Sequence, residues 1–435
     1  ILDELQKVLA KHGLCCGKAY KYNGKLERCL TCQKFYHIQC RDMRKESERS
    51  PCPCNQTESD LSRYRVSTLD ETHLSRHMQR RINYGWSKSR SGKLNKAVTS
   101  QSRQVRMVTK MQMQGKFGEK VRKFFERNGK EVPDIDYIHK MILVFIENGD
   151  QDLMISAMIV HEYNENCPEI KKGSVSLAYF QCVSFIENQE ERKYTPIRIL
   201  LSYFEYASQI GYRRCQFWAC PPKNLDEDFL IRGRPPYQIV PNQDKLCEFY
   251  KEVLELGIDN KIIHSYSNAY AFDDTIDVFR LIEDLNYEDG FWTKTVDESV
   301  SKTRGKSKKS ANDVKIELKN SILSSTEQGV TFYANFVSPS KMKEVNIVDK
   351  DPNCVTNVAS CKKKWYGFMK EMNLDYSTPH SNVHGAATAI KKIGEDKNKE
   401  VNIIASQAKE PEPRERDSTP KSSDVSSDDG TNTIS

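Results

Sequence analysis

The chain has no long hydrophobic run, which excludes a membrane-spanning class of protein. No stretch approaches the roughly 20 consecutive apolar residues that a transmembrane helix needs. No signal peptide opens the chain, so we expect neither secretion nor membrane insertion. Glycine is also scarce, at 20 of 435 residues, whereas charged residues reach 29%. A polar chain of this length is expected to form about two to four domains.

Positive charge is concentrated in parts of the chain. The net charge is only +7, but basic residues cluster between Arg63 and Arg127 and again between Lys302 and Lys309. The tail after Glu410 is acidic and rich in serine. Basic segments of this kind favour work near nucleic acid or chromatin, so we expect a nuclear protein.

The cysteines fall into two groups. Seven of the 14 lie within the first 54 residues together with His37, and the others are scattered between Cys167 and Cys361. In a chain without a secretion signal, clustered Cys and His residues indicate zinc rather than disulfides. Two ligands separated by two residues grip one tetrahedral Zn²⁺ through a tight turn. The candidate ligands are Cys15, Cys16, Cys29, Cys32, His37, Cys40, Cys52 and Cys54.

The number of zinc ions in this segment stays open. Four ligand pairs predict two ions in interleaved positions, with the metal supplying folding energy that so short a segment lacks. The spacing is typical of zinc ligands within CLTCQKFYHIQC, but adjacent Cys15 and Cys16 and the one-residue gap between Cys52 and Cys54 are cramped. A degraded finger with one zinc is the alternative.

The central part alternates between buried strands and amphipathic helices. The segments KMILVFIEN, LMISAMIVHEY, SVSLAYFQCVSFI and CQFWAC have the apolar character of buried strands. FGEKVRKFFER, RILLSYFEYASQIGY and KLCEFYKEVLELG have helical spacing, and Gly211 suits the C-cap of the second helix. This alternation predicts an α/β fold in which helices cover a sheet.

A proline-rich stretch, Trp218–Tyr250, links the last of these strands to the following helix. Its five prolines exclude a continuous helix, because each fixes φ and lacks an N–H. Long loops within a compact region are usually functional or disordered, and the aromatic residues of this one argue against disorder. We therefore expect an ordered loop that covers a site.

Several segments of the central part follow one another in the order seen in one known family. They include VHEYNENCP, SLAYFQCVSFI, YFEYASQIGYRRCQFWACPP, EFYKEVL, IIHSYSNAY and EDGFWTKTVDESV. Together they resemble the acetyltransferase domain of the CREB-binding-protein family of transcriptional coactivators, over roughly Phe117 to Ile390. CCGK followed by CLTCQKFYHIQC resembles the PHD finger of that family, and its RING insertion, bromodomain and flanking adaptor and zinc modules have no counterpart in this sequence. An unrelated α/β domain with a chance WACPP is the alternative.

The resemblance implies a division of the chain into five parts. A helical remnant at 1–14 precedes a PHD-like finger at 15–56, and a basic linker follows at 57–114. An acetyltransferase-like domain at 115–392 contains a second basic linker at 301–318, and a disordered tail occupies 393–435. We interpret 57–114 as a solvated spacer, with a phosphate-binding or nuclear-import patch as the alternative. The 301–318 stretch is interpreted as a plain linker, where the family has a lysine-rich regulatory loop.

The resemblance also implies chemical roles for individual residues. Tyr250 matches the family's general acid, whose neutral phenol donates a proton to the departing thiolate. Trp218 matches the tryptophan of the lysine tunnel, and Arg192 matches an arginine that pairs with a phosphate of acetyl-CoA. Without the matching order of family segments, Tyr250 and Trp218 would be interpreted as packing residues. The implied acetyl-CoA contacts are Gln181, Cys182, Arg192, Lys193, Val240, Pro241, Lys245 and Phe249.

Several of these positions depart from the family. Gln181 and Cys182 replace an aspartate and a serine that contact the cofactor there, and Lys193 replaces a threonine. In the proline-rich loop, Arg234 replaces a histidine and Tyr237 replaces an acidic residue. The site therefore resembles a diverging copy, in which the acid and the tunnel tryptophan remain while the grip on the cofactor is altered.

Two functions are consistent with these features. The first is a nuclear histone or protein lysine acetyltransferase, a transcriptional coactivator that uses acetyl-CoA without a covalent enzyme intermediate. The second is a catalytically impaired scaffold that binds chromatin or transcription factors. The changes at Gln181, Cys182 and Phe249, where the family has a tryptophan, motivate the second. The expected partners are histones, chromatin and transcription factors, with no membrane, and zinc is the expected structural metal.

Overall fold

The computed structural model describes most of the central region and little of the amino-terminal segment. The described residues are 26–28, 35–37, 63–86, 94, 101–115, 117–133, 135–148, 151–183, 185–186, 188–221, 230–235, 238–268, 277–285, 291–304, 310–326, 330–337 and 345–407. The predicted finger lies outside them, apart from two short antiparallel strands, β1 (Leu26–Arg28) and β2 (Phe35–His37).

One mixed sheet of seven strands forms the centre of the fold, in the order β3-β4-β5-β6-β7-β9-β8. The four segments predicted as buried strands are present as β4 to β7, and the predicted α/β class is confirmed. The bounds are β3 Arg103–Gly115, β4 Ile135–Asn148, β5 Gln151–Tyr163, β6 Ser174–Cys182, β7 Arg214–Trp218, β8 Ile263–Ser267 and β9 Thr331–Phe336.

Helices cover both faces of this sheet. One core lies between the sheet and α1, α3 and α4, a second lies on the opposite face against α8 and α9, and a third joins α2, α5, α6 and α7. None of the described helices is both long and apolar enough to cross a membrane. The bounds are α1 His73–Tyr84, α2 Glu119–Arg127, α3 Gln189–Ile210, α4 Gln243–Asp259, α5 Val278–Glu283, α6 Phe291–Arg304, α7 Ala311–Thr326, α8 Lys362–Glu371 and α9 Pro379–Gln407.

A single crossover helix joins the one parallel pair among the described strands. β6 and β7 run parallel, and α3 connects them. The Asn188 side chain caps the start of α3 by accepting the Glu191 N–H, and the predicted C-cap is confirmed at Gly211, which has a φ of 115°. A Cβ at this glycine would clash with the carbonyl oxygen of Asn346, so both backbone conformation and space require glycine.

Within the described residues, the structure contradicts the interpretation of three segments as spacer, linker or tail. The 57–114 segment is not a solvated spacer, because it supplies α1 and the edge strand β3. Its apolar residues Leu74, Met78 and Ile82 recur at helical spacing and are buried in the core, a stripe that the polar composition conceals. The 301–318 segment is largely helical, since α6 continues to residue 304 and α7 begins at residue 311. Residues 393–407, predicted to be part of a disordered tail, are helical, because α9 continues to residue 407.

A buried network of charges joins α3 to the sheet. Lys140 of β4 is fully buried, and its ammonium group lies 2.7 Å from the carboxylate of Glu162 and 2.8 Å from that of Asp349. The hydroxyl groups of Tyr203 and Tyr212 also donate to Glu162, at 2.8 Å and 3.2 Å. Buried charges persist only where they are paired and hydrogen-bonded. The network therefore fixes the position of α3 on the sheet.

The same network reaches the edge strand and the first helix. Asp349 lies 2.8 Å from the ammonium group of Lys110 on β3, and it accepts a hydrogen bond from the Tyr206 hydroxyl at 3.2 Å. Asp351 accepts the N–H of Leu74 at 2.9 Å, in the first turn of α1. A carboxylate at this end of a helix complements its positive dipole. Residues 349–351 thus tie together elements that lie far apart in the chain.

Replacing Asp349 with asparagine should make the free energy of unfolding less dependent on pH in the acid range. Burial alone would raise the pKa of the Asp349 carboxyl, but the ammonium groups of Lys140 and Lys110 outweigh burial and lower its pKa to about 2. A carboxyl with a depressed folded-state pKa stabilises the protein above its unfolded pKa and loses that contribution as the pH falls. We expect Asp349→Asn to lower the free energy of unfolding by about 2 kcal/mol at neutral pH. It should also flatten the loss of stability between about pH 4 and pH 2, measured by urea denaturation.

Glu169→Gln is the matched control. It removes the carboxylate of an exposed pair with Lys172 and should leave both the stability and its pH dependence nearly unchanged. If Asp349→Asn and the parent lost stability in parallel over the acid range, the network would not have the role assigned to it.

Candidate active site

At one end of the sheet β6 extends beyond its parallel partner β7. β6 and β7 pair only between Ser174 and Leu177 on one strand and Arg214 and Phe217 on the other, whereas β6 continues to Cys182. The first four residues of β6 are buried and its last five are half-buried. The carboxyl ends of parallel strands are the usual place for ligands in α/β sheets. The region beside the last residues of β6 and beyond the end of β7 is therefore the candidate active site, and it is called the cleft below.

The predicted general acid, Tyr250, lies on one face of the cleft. It is 7% exposed, and its ring centroid lies 4.7 Å from that of Phe217 and 5.3 Å from that of Phe249. Cys182, the last residue of β6, packs against the same core. The acid and two of the predicted cofactor contacts, Phe249 and Cys182, are thus brought together on this face.

The protonation state of Tyr250 suits a proton donor. Burial raises the pKa of Tyr250 above its ordinary value, and the nearby groups of Cys182 and Cys215 act in the same direction. The phenol therefore stays neutral throughout the physiological range. No group in the described part of the chain forms a hydrogen bond with its hydroxyl, which leaves that proton available to a ligand.

The first turn of α4 is hydrogen-bonded to the segment that follows β7. Asn242 caps the helix by accepting the Lys245 N–H at 3.0 Å, and the side-chain amide of Gln243 donates to the carbonyl oxygen of Ala219. These contacts determine where Tyr250 lies relative to β7. Sequence reasoning missed Gln243, because a single amide in a first helical turn carries no distinctive pattern.

Gln181 lies on the opposite face, where it holds the proline-rich loop. Its side-chain oxygen accepts the N–H groups of Leu230 and Ile231 at 2.7 Å and 2.9 Å, and its nitrogen donates to the Ile231 carbonyl at 3.1 Å. A β-bulge at Ala178 sets the alternation that sends Gln181 to one core and Cys182 to the other. The amide predicted as a cofactor contact therefore acts as a clamp on the loop.

Trp218, the predicted tunnel residue, is the last residue of β7 and is 43% exposed. Because side chains alternate along a strand, its indole is directed to the face opposite Phe217, which is the face of the Gln181 clamp. The phenol of Tyr250 and the indole of Trp218 thus approach the cleft from different faces of the sheet. An exposed aromatic ring beside a cleft suits an amine-bearing side chain.

The proline-rich loop is also fixed from its outer side. The indole N–H of Trp365 donates to the Leu230 carbonyl at 2.7 Å. The guanidinium of Arg232 donates to the Asn373 side chain at 3.1 Å and to the Leu374 carbonyl at 2.9 Å. The described loop residues, 230–235, are therefore ordered, as the sequence predicts.

The basic residues predicted to contact the cofactor differ in how they are paired. Lys193 of α3 lies 2.8 Å from Glu252 of α4, and Lys245 lies 2.7 Å from Glu248. The hydrogen bond with Glu252 raises the pKa of Lys193. Arg192, exposed near the start of α3, has no ion-pair partner among the described residues. Its guanidinium is therefore available to a phosphate group.

The segment between the loop and α4 lies across the end of β6. The side-chain amide of Gln238 donates to the backbone oxygen of Cys182 at 2.8 Å, a contact that the sequence does not reveal. Ile239 is 87% exposed, Val240 is half-buried and Pro241 is exposed. The predicted cofactor contacts Val240 and Pro241 thus follow a residue that is bonded to the end of β6.

The two thiols that contribute to the raised pKa of Tyr250 do not suit a nucleophile. Burial raises the pKa of Cys182 to about 12, although a hydrogen bond with Ser156 opposes the shift. Burial likewise raises the pKa of Cys215. Because the thiolate is the nucleophilic form, both groups are inert at neutral pH. This agrees with the expected transfer without a covalent enzyme intermediate.

The predicted zinc ligands lie outside the described residues, except that the backbone of His37 belongs to β2. Within the part of the chain that the structure describes, no group of three or more His, Cys, Asp or Glu residues is placed to hold a metal ion. The zinc site of the amino-terminal segment stays a prediction.

A mixed sheet flanked by helices, with two parallel strands joined by a crossover helix, fits an acetyltransferase-like fold. Residues 91–372 match the family described as histone acetyltransferase domain KAT3. The match covers more than half of the chain, so the chain belongs to this family. The family resemblance drawn from the sequence is thereby confirmed.

Curated relatives are similar to part of the chain. Protein cbp-1 of Caenorhabditis elegans is 26% identical over 288 residues, which cover 63% of this chain and 14% of that protein. The probable histone acetyltransferase HAC-like 2 of Oryza sativa subsp. japonica is 27% identical over 216 residues, covering 46% of this chain and 15% of the relative. Histone acetyltransferase HAC2 of Arabidopsis thaliana is 25% identical over 169 residues, covering 37% and 12%. The matched region is thus a small part of each relative.

Removing the amide of Gln181 should release the proline-rich loop. Gln181→Leu deletes the oxygen that accepts both N–H groups and the nitrogen that donates, so we expect the amide protons of Leu230 and Ile231 to exchange about tenfold faster or more. Gln181→Glu keeps an acceptor oxygen for the two N–H groups and should restore most of the protection. Hydrogen exchange of the folded protein, read by mass spectrometry of the peptide that contains 230–235, is the measurement.

Gln209→Leu is the control, because this glutamine is exposed near the end of α3. It should leave exchange in the loop unchanged. Unaltered protection of Leu230 and Ile231 in Gln181→Leu would show that other contacts hold the loop.

Proposed function

We propose that this protein is a histone or protein lysine acetyltransferase that transfers the acetyl group of acetyl-CoA to a lysine side chain. The observation that carries the proposal is the neutral hydroxyl of Tyr250, which no described group occupies, beside the cleft at the end of β6. Membership of the KAT3 family supports it. A role as a nuclear transcriptional coactivator, with histones, chromatin and transcription factors as partners, is part of the same proposal.

The reaction is a direct attack of the lysine on the thioester. The neutral lysine amine forms a bond with the carbonyl carbon, and the carbon–sulfur bond breaks. Tyr250 donates its hydroxyl proton to the departing CoA thiolate, and the phenolate regains the proton that leaves the lysine nitrogen, through water. A desolvated ammonium loses its proton more readily, and the indole of Trp218 guides the side chain to the cleft.

Acetyl-CoA is proposed to bind on the face that carries Tyr250. Arg192 pairs with a phosphate group, and Lys193 exchanges its contact with Glu252 for another phosphate oxygen. Gln181 acts on the cofactor only indirectly, through the loop that it clamps. The remaining contacts proposed for the cofactor are Cys182, Val240, Pro241, Lys245 and Phe249.

Replacing Tyr250 with phenylalanine should remove the proton donor while leaving the packing nearly intact. The expected result is a fall in kcat of about 100-fold or more, because a positioned general acid contributes on that order. The affinity for acetyl-CoA should stay within about twofold, since the hydroxyl acts on the departing thiolate rather than on the bound cofactor. Turnover with acetyl-CoA and a histone tail peptide is the measurement.

The control for this substitution is Tyr84→Phe, because Tyr84 is 72% exposed at the end of α1. Its turnover should equal that of the parent. Equal turnover in Tyr250→Phe and the parent would remove the proposed role of the phenol.

A catalytically impaired scaffold that binds chromatin or transcription factors is the second candidate. The amide of Gln181 is engaged with the loop, and a thiol stands at Cys182, so fewer polar groups remain for the cofactor. Calorimetry with CoA separates the two functions. A dissociation constant of about micromolar order supports the enzyme, whereas no heat of binding at about millimolar CoA supports the scaffold.

The amino-terminal segment is proposed to bind about two zinc ions through the eight candidate ligands named above. Metal analysis of the purified chain should then give about two zinc ions per chain. A ratio of about one would favour the degraded finger, and a metal-free, folded protein would contradict a zinc site altogether.

A further inference from the structure

We propose that Arg234 makes this protein prefer lysines that are flanked by acidic residues. The inference rests on the proposed acetyl transfer for the nature of the acceptor, and it adds the charge of the sequence around that acceptor. Its subject is a basic side chain in the proline-rich loop that neither the fold nor the proposed chemistry uses.

Arg234 lies in the chain between two residues that are hydrogen-bonded to β6. Ile231 is bonded to the side chain of Gln181, and Gln238 is bonded to the backbone of Cys182. An extended residue spans at most about 3.5 Å, so the backbone of Arg234 lies within about 10 Å of that of Ile231. The backbone of Arg234 is thus held near the end of β6, beside the candidate active site.

The guanidinium of Arg234 lacks an acceptor within the described part of the chain. Its Nη1 atom is buried without a hydrogen-bond partner, whereas the neighbouring Arg232 donates to Asn373 and Leu374. A buried cationic donor that is left unsatisfied costs free energy. A carboxylate accepts two parallel N–H groups of a guanidinium at once, and at Arg234 it would displace no protein partner.

The face on which the loop packs indicates the peptide rather than the cofactor. Leu230 and Ile231 belong to the core on the face to which strand alternation directs Trp218. Tyr250 belongs to the core on the other face. Arg234 is therefore on the side from which the lysine approaches.

The charge of the loop agrees with this ligand. Its described residues 230–235 contain two arginines, Arg232 and Arg234, and no acidic residue. This part of the loop is therefore positively charged at neutral pH. The ligand class that fits is a peptide with a glutamate or aspartate next to the lysine.

Peptide binding tests this inference without turnover. Three fluorescein-labelled peptides of equal length each contain one lysine, flanked on both sides by glutamate, by glutamine or by arginine. Their dissociation constants for the full chain are measured by fluorescence anisotropy. We expect the glutamate peptide to bind about fivefold more tightly than the glutamine peptide, and the arginine peptide to bind more weakly than both. In Arg234→Gln the glutamate and glutamine peptides should bind within about twofold of each other.

Two variants make the test specific. Arg122→Gln removes a positive charge from the exposed surface of α2 and should keep the preference, which excludes an effect of net charge alone. Arg234→Lys should keep part of it, since the charge remains without the guanidinium fork. Thermal unfolding of each variant checks that it is folded, and the three peptides on the unaltered chain test the preference whether or not the variants fold.

Three results would overturn the inference. The parent could bind the glutamate and glutamine peptides equally, or Arg234→Gln could retain the full preference. The variant could also bind CoA more weakly in calorimetry with its peptide preference intact, which would assign Arg234 to the cofactor. Failure of acetylation with the peptide preference preserved would instead contradict the proposed function alone.

Discussion

The pairing of one buried lysine constrains the position of the candidate active site. Lys140 has no exposed surface, and an unpaired ion in such a place costs several kcal/mol. Its partner Glu162 is also the acceptor for two tyrosines, Tyr203 in α3 and Tyr212 just after it, so α3 cannot shift without breaking buried hydrogen bonds to this carboxylate. Because α3 connects the two parallel strands, the network holds this crossover helix in place beside β6 and β7. A buried ion pair thereby helps to position the elements of the candidate active site.

The cleft has two chemically different sides, and a one-residue β-bulge in β6 separates them. The bulge at Ala178 shifts the alternation of β6. As a result, Cys182 joins the core that contains Tyr250, whereas Gln181 reaches the loop on the other face. A transfer reaction between two substrates benefits from this separation, because the thioester and the lysine have to be held independently and meet at one point.

The sequence predicts those features that arise from neighbours along the chain. Strands β4 to β7 and helices α3 and α4 are recognisable because their apolar residues recur at short, regular intervals. The helix His73–Tyr84 was missed because charged residues surround its narrow apolar stripe. The clamp at Gln181 could not be predicted, since its partners are loop backbone groups about 50 residues away. The packing of Tyr250 against Phe217 could not be predicted either, because the fold brings together two residues that lie far apart in the chain. The resemblance to the family identifies only the tyrosine itself.

Gln181, which stands where the resemblance implies an aspartate, has a structural role in this chain. An aspartate at this position has no donor for the Ile231 carbonyl, and its shorter side chain would have to reach the same loop backbone. Glutamine satisfies two N–H groups and one carbonyl of the loop, so this side chain orders the cover of the site. In the proposed function, the contacts with acetyl-CoA then come from Arg192 and from the face that carries Tyr250. A site that has merely decayed would have no reason to hold its loop by three hydrogen bonds, which favours a redistributed active site over a lost one.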